Sequence, residues 1–227
     1  MAAAPRTRST RKKTTGGPPR ERRRKARQRV ISSALKLADK RSFRDLTIDE
    51  IARSAGVSRP AFYTHFSDKE ELLLVAVGEV SEQLYEMADR WWHGVGPPAQ
   101  RVRQAIEGVV SVYAGEARLL RIAAEVATYD DEVRALWLDI AERFIEATAQ
   151  HIRAEQEVGL IPRSLDPRAT AESLFWMAER CCYIYLGRRE RKPKEVVEAL
   201  APVWTAALYP GVIPAGRLSP RPVGPTY

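Results

Sequence analysis

Thr47-Ile48-Asp49-Glu50-Ile51-Ala52-Arg53-Ser54-Ala55-Gly56-Val57-Ser58-Arg59-Pro60-Ala61-Phe62-Tyr63-Thr64-His65-Phe66 is the stretch that decides how this chain folds. Thr47 and Glu50 have the spacing of a capping box, in which the hydroxyl accepts the Glu50 amide and the carboxylate reaches back to the Thr47 amide. A short helix therefore starts there, and Gly56, free to adopt the left-handed conformation, stops it. Ser58 caps a further helix that tolerates Pro60 in its first turn and runs to about Phe66. Two helices joined this tightly cross steeply, so they need a small residue where they touch and apolar residues to lock them. Ala52 supplies the first, and Ile48, Ile51, Ala55, Val57 and Phe62 supply the second. The stretch reads as a helix-turn-helix.

Working outward, apolar residues at helical spacing predict a first amphipathic helix from about Glu21 to Lys40, with basic N-terminal turns. Ser67-Asp68-Lys69-Glu70 repeats the capping-box pattern and opens a fourth helix reaching about Trp92. After a Gly/Pro loop the helical period continues through stripes built on Val102 to Tyr113, Leu119 to Val126 and Val133 to Ile152. Asp166-Pro167 starts another helix that runs to Gly187, and a last one spans about Lys194 to Tyr209 with a kink expected at Pro202. No segment sustains strand alternation, so the chain is expected to be all-α: an N-terminal three-helix DNA-binding module, then a larger helical bundle. The expected division is a disordered basic arm (1–20), the helix-turn-helix domain (21–75), a ligand-binding and dimerisation domain (76–209) and a disordered Pro/Gly-rich tail (210–227).

Charge supports that division. The net +8 concentrates in residues 1–29, which carry 12 Lys and Arg against the single acid Glu21, leaving the remainder at -3. A basic arm leading into a helix points to polyanion contact. The chemistry of groove reading then assigns roles: the Arg59 guanidinium can pair bidentately with a guanine edge, and the methyls of Ala61 and Thr64 can meet thymine. Tyr63, His65, Lys69 and Thr47 offer donors suited to phosphate oxygens, while Phe62 and Phe66 point to the core. The run Gly56-Val57-Ser58 followed by Phe62-Tyr63-Thr64-His65-Phe66-Ser67-Asp68-Lys69-Glu70-Glu71-Leu72 resembles the DNA-binding signature of TetR-type transcriptional regulators. That resemblance implies a homodimer with one three-helix DNA-binding module per subunit and a helical ligand-binding body. It also implies base reading at Ser58, Arg59, Ala61 and Thr64, with phosphate contacts at Thr47, Tyr63, His65 and Lys69. The runs Glu132 to Trp137 and Ala178 to Arg180 are similar to the mycobacterial ethionamide-resistance repressors of that family, whose ligand tunnel is long and aromatic.

In the body, Tyr113, Trp137, Phe144, Phe175 and Trp204 fall on different helices, and Glu179 is a charge within an apolar stretch. They are the candidate lining of a cavity for a small hydrophobic effector, with Glu179 as its polar handle or as a partner of Arg180. The last two helices carry more apolar surface than one subunit covers, which predicts a homodimer joined by a four-helix interface and bound to palindromic operators. The expected function is a ligand-responsive transcriptional regulator acting as a repressor; a sequence-independent polyanion binder driven by the arm is the alternative. An enzyme is disfavoured: His65, His93 and His151 lack ligand spacing, and no phosphate loop or nucleophile elbow occurs. No cofactor and no metal are expected. Cys181 and Cys182 read as small buried hydrophobes, no apolar signal segment or credible membrane span is seen, and a cytoplasmic location is expected.

Overall fold

In the computed structural model, residues 19–188 and 190–211 are described. They form nine α-helices: α1 (Pro19–Ala38), α2 (Ile48–Ala55), α3 (Arg59–Tyr63), α4 (Lys69–Trp92), α5 (Pro98–Gly115), α6 (Ala117–Val126), α7 (Asp131–Glu157), α8 (Pro167–Tyr185) and α9 (Pro193–Leu208). A 3-10 turn at Phe43–Asp45 joins α1 to α2, and no strand occurs among the described residues. The arm expected over 1–20 and the tail expected over 210–227 lie outside the described residues, apart from 19 and 20, which begin α1, and 210 and 211.

The capping chemistry fixes the first module. Thr47 Oγ1 accepts from the Glu50 amide at 3.3 Å, and the Glu50 carboxylate accepts from the Thr47 amide at 3.0 Å. Arg41 also pairs with Glu50, and the hydrogen bonds from Arg41 and Thr47 hold its carboxyl down to about 2. Gly56 closes α2 at φ +66°, a conformation that strains any side-chain-bearing residue. Ser58 caps α3, whose last helical residue is Tyr63 and not Phe66. The Thr64 hydroxyl donates to the Ala61 carbonyl at 2.7 Å and Arg23 donates to the Thr64 carbonyl at 3.1 Å, so the carbonyls that would continue the helix are already taken. The start of α4 also shifts by one position. Asp68, not Ser67, accepts from the Glu71 amide at 2.7 Å, and Glu71 rather than Glu70 reaches back to the Ser67 amide. A carboxylate caps an amide more strongly than a hydroxyl does, so the box moves on by one residue.

Phe62 and Phe66 are fully buried with Val30, Ile51, Leu72 and Leu73, each ring contributing about 2–3 kcal/mol of transfer free energy. In the body, α5 packs on α4 and α9, and α7 on α8 and α4. Asp166 caps α8 as its position predicts, Asp130 caps α7, and Pro202 sits inside α9. The fourth helix has 24 residues, about 36 Å. Its first turns close the core around Phe66, and its remaining turns form a wall of the bundle. That single rigid element physically joins the helix-turn-helix to the body.

Candidate DNA-reading face and ligand cavity

The exposed side of α3 carries the residues expected to read DNA. Arg59 projects from its first turn, where Nη1 donates to Asp49 Oδ2 at 2.7 Å and Nη2 donates to the Tyr63 hydroxyl at 3.3 Å. The guanidinium also lies 5.8 Å from the Tyr63 ring centroid. Asp49 and Tyr63 thus hold Arg59 in one orientation on the surface. Ser58 and Thr64 flank it, both exposed, and Ala61 lies between them. Thr47 is exposed at the start of α2, although its hydroxyl and amide already serve the capping box. His65 is half-buried, and burial first, then the neighbouring Arg23 and Arg27 guanidinia, push its imidazole below the ordinary value.

Lys69 departs from expectation. Its Nζ donates to the carbonyls of Phe43, Arg44 and Leu46 at 3.1, 2.6 and 2.9 Å, and its side chain is 16% exposed. The spent donors make it a clamp on the 3-10 turn rather than a free phosphate contact. Cations that residue-by-residue reading of the motif missed are Arg23 and Arg27 of α1. Arg23 bonds the end of α3, and Arg27 pairs with Glu79 and lies 5.5 Å from the Phe66 ring centroid. Their signal was the basic start of the first helix.

A second site lies inside the body. Helices α4, α5, α7, α8 and α9 surround a cavity holding about 1080 Å³ free of protein atoms, its mouth included. All six expected lining residues face it: Tyr113, Trp137, Phe144, Phe175, Glu179 and Trp204. Phe144 packs against Phe175 with centroids 5.9 Å apart, and Trp204 meets Trp91 at 5.7 Å. Sequence reading missed the contribution of α4, whose Ser81, Leu84, Trp91 and Trp92 line the same space. Burial holds the Tyr113 phenol protonated well above the ordinary tyrosine range, with the Glu179 carboxylate adding to the shift. Cys182 also lines the wall, and burial pushes its thiol up to about 12, so it acts as an inert apolar surface.

The model described as "Bacterial regulatory proteins, tetR family" matches residues 30–76, and "Transcriptional regulator EthR, C-terminal domain" matches residues 102–210. EthR of Mycolicibacterium smegmatis is 28% identical over 194 residues, covering 82% of this chain and 87% of that protein. BetI of Rhizobium meliloti, also an HTH-type transcriptional regulator, is 30% identical over 148 residues, covering 65% of this chain and 70% of its own length. The chain belongs to the TetR family. A TetR-family structure from Syntrophomonas wolfei shares the fold, with a TM-score of 0.69 at 18% identity over 85% of this chain and 98% of its own. TetR regulators bind DNA operators and generally act as dimers with small-molecule ligands; they are transcriptional regulators and not enzymes. The body of this one is EthR-like. No helix among its described residues is long and apolar enough to cross a membrane.

Beside the cavity, this TetR-family body holds a buried ionic cluster. Arg101 Nη2 donates to Glu155 Oε1 at 2.5 Å and Nη1 to the Trp91 carbonyl at 3.1 Å. The Tyr209 hydroxyl donates to the other Glu155 oxygen and accepts from Trp91 Nε1 at 3.1 Å. His151 Nε2 stands 3.3 Å from Glu155, outside hydrogen-bond alignment, with its ring 4.5 Å from that of Trp91. Burial pushes the Glu155 carboxyl up, but His151, Tyr209 and Arg101 together outweigh it and hold the group down to about 2. The cluster ties the end of α4 to α5, α7 and the residue following α9.

Proposed function

We propose that this protein is a ligand-responsive repressor that binds palindromic operators as a homodimer and is released by a small hydrophobic molecule. One observation carries the reading: α4 is at once the last helix of the reading module and a wall of the aromatic cavity. A guest that repacks Trp91 and Trp92 bears directly on the helix that positions α3. In this reading Ser58, Arg59, Ala61 and Thr64 meet base edges, while Thr47, Tyr63 and His65, with Arg23 and Arg27 behind them, meet phosphates. Lys69 acts by holding the start of α4 against the 3-10 turn. Subunits join through α8 and α9, whose outward side carries exposed Ala199, Pro202, Val203 and Ala206. Two α3 helices then address half-sites about one DNA turn, ~34 Å, or a multiple apart. Ligand favours a wrong separation, a coupling on the order of 1–3 kcal/mol.

Selection of bound duplexes from a random-sequence pool tests the reading. A palindrome should emerge and bind at least ~10³-fold more tightly than random DNA at fixed salt. Arg59→Ala should lose about 1–3 kcal/mol of that preference at one base position per half-site. Failure to enrich any sequence would make the protein a general polyanion binder.

A further inference from the structure

Among the described residues, seven buried side-chain polar atoms lack a hydrogen-bond partner, and five of them belong to four cavity-lining residues: Trp92, Tyr113, Glu179 and Trp204. Protein interiors pair their buried polar groups, so orphans gathered around one hollow space describe what its guest must supply. Both oxygens of Glu179 are among them, on a side chain only 7% exposed. Arg180 does not answer the need: its Nε comes no closer than 3.7 Å to one oxygen, its side chain is 60% exposed, and its guanidinium lies 4.8 Å from the Tyr183 ring centroid. A buried carboxylate without donors is costly in either state, and burial pushes the Glu179 carboxyl above its ordinary range while Arg180 pulls the other way.

We propose that the effector is a lipophilic amine whose ammonium group donates to both Glu179 oxygens while its apolar body lies along Trp137, Phe144, Phe175 and Trp204. The inference rests on the ligand-sensing reading above and adds the head group. An ammonium has donors to spare and no acceptor, matching two orphan acceptors. Its charge is balanced by the carboxylate and favoured by aromatic faces. A fatty carboxylate would set two negative groups together in a dry wall, and an alcohol has one proton for two oxygens. The Tyr113 hydroxyl completes the polar end. The indole N–H groups of Trp92 and Trp204 remain to meet an acceptor farther along the guest.

Calorimetric titration of the full-length dimer with octylamine, octanol and octanoate compares three head groups on one body. The amine should bind at least ~10-fold more tightly than the alcohol, and the acid most weakly. Glu179→Gln, which keeps shape and removes charge, should bring the amine to the alcohol's level. Equal binding of amine and alcohol by the unaltered protein, or an amine preference that survives Glu179→Gln, overturns the inference; the first comparison needs no variant. Repeating the titrations while following operator binding separates the two readings. Release by alcohol and amine alike at equal affinity keeps the sensing reading and discards the amine. Tight amine binding without operator release keeps the site and discards the sensing reading, and binding of none of the three discards both.

Discussion

An arginine that reads a base must present its planar fork in a fixed orientation, and Arg59, the proposed base reader, is held in one by Asp49 and Tyr63. The bridge is exposed, so breaking it on binding costs little, and Asp49 limits the entropy lost when the fork docks. Lys69 shows the opposite disposition. Its three carbonyl bonds tie the 3-10 turn to the start of α4, and two of them reach the Arg44 and Leu46 carbonyls, so its removal is a folding defect before it is a binding defect. Lys69→Met should lower stability by about 1–3 kcal/mol in urea unfolding. It should leave the salt dependence of DNA binding unchanged. Arg23→Ala, by contrast, should reduce the slope of log affinity against log salt by about 1 if that side chain meets a phosphate. A reduced slope in Lys69→Met with unchanged stability would return it to the phosphate contacts.

At the scale of the element, α4 is held at both ends by polar chemistry: Asp68 and Lys69 at its start, Arg101 on the Trp91 carbonyl near its end. The Glu155 cluster behind that second hold is sensitive to acid in a defined direction. Its carboxyl is held down to about 2, against about 4.3 in an unfolded chain. The stability it contributes is therefore complete above the unfolded value and lost as pH falls from about 4.3 toward 2. Glu155→Gln should cost about 3 kcal/mol at neutral pH, because Arg101 is left buried without its counter-charge. Unfolding in urea at a series of pH values should show the unaltered protein losing more stability across that window than the variant; parallel curves would contradict the assignment.

The same element shows what a sequence makes legible. The Thr47–Glu50 box and the Gly56 stop depend on neighbours within a few residues, so spacing alone reveals them. The six cavity residues were legible because inward stripes on different helices must converge on one axis. What escaped was decided by competition or by distance. Asp68 displaced Ser67 as the cap by taking the Glu71 amide, and Lys69 found acceptors 23 to 26 positions away. Trp91 and Trp92 turned into the cavity because α5 and α7 pack beside α4, which no local period encodes.

For the whole molecule, charge and apolar surface divide the labour. Residues 1–29 carry a net +11 and residues 76–209 a net -5, so in the proposed reading attraction to DNA comes mainly from the first 29 residues, while the acidic body is repelled by phosphates. Specific reading by a helix as short as α3, five residues long, needs two copies acting together. Linking two half-site contacts in one dimer multiplies affinity by ~10² to 10⁴. In the proposed dimer that linkage uses the outward face of α9, where Val203 is 47% exposed between Ala199 and Ala206. A charge there costs an isolated subunit almost nothing, since the position already meets water. In an isologous interface it would be buried twice, against its own symmetry mate. Val203→Glu should therefore leave the helical circular dichroism intact, shift the protein to monomers in sedimentation at micromolar concentration, and weaken operator binding by at least ~10²-fold. A variant that stays dimeric with unchanged operator affinity would place the subunit contact on another face and remove the link between α9 and half-site spacing.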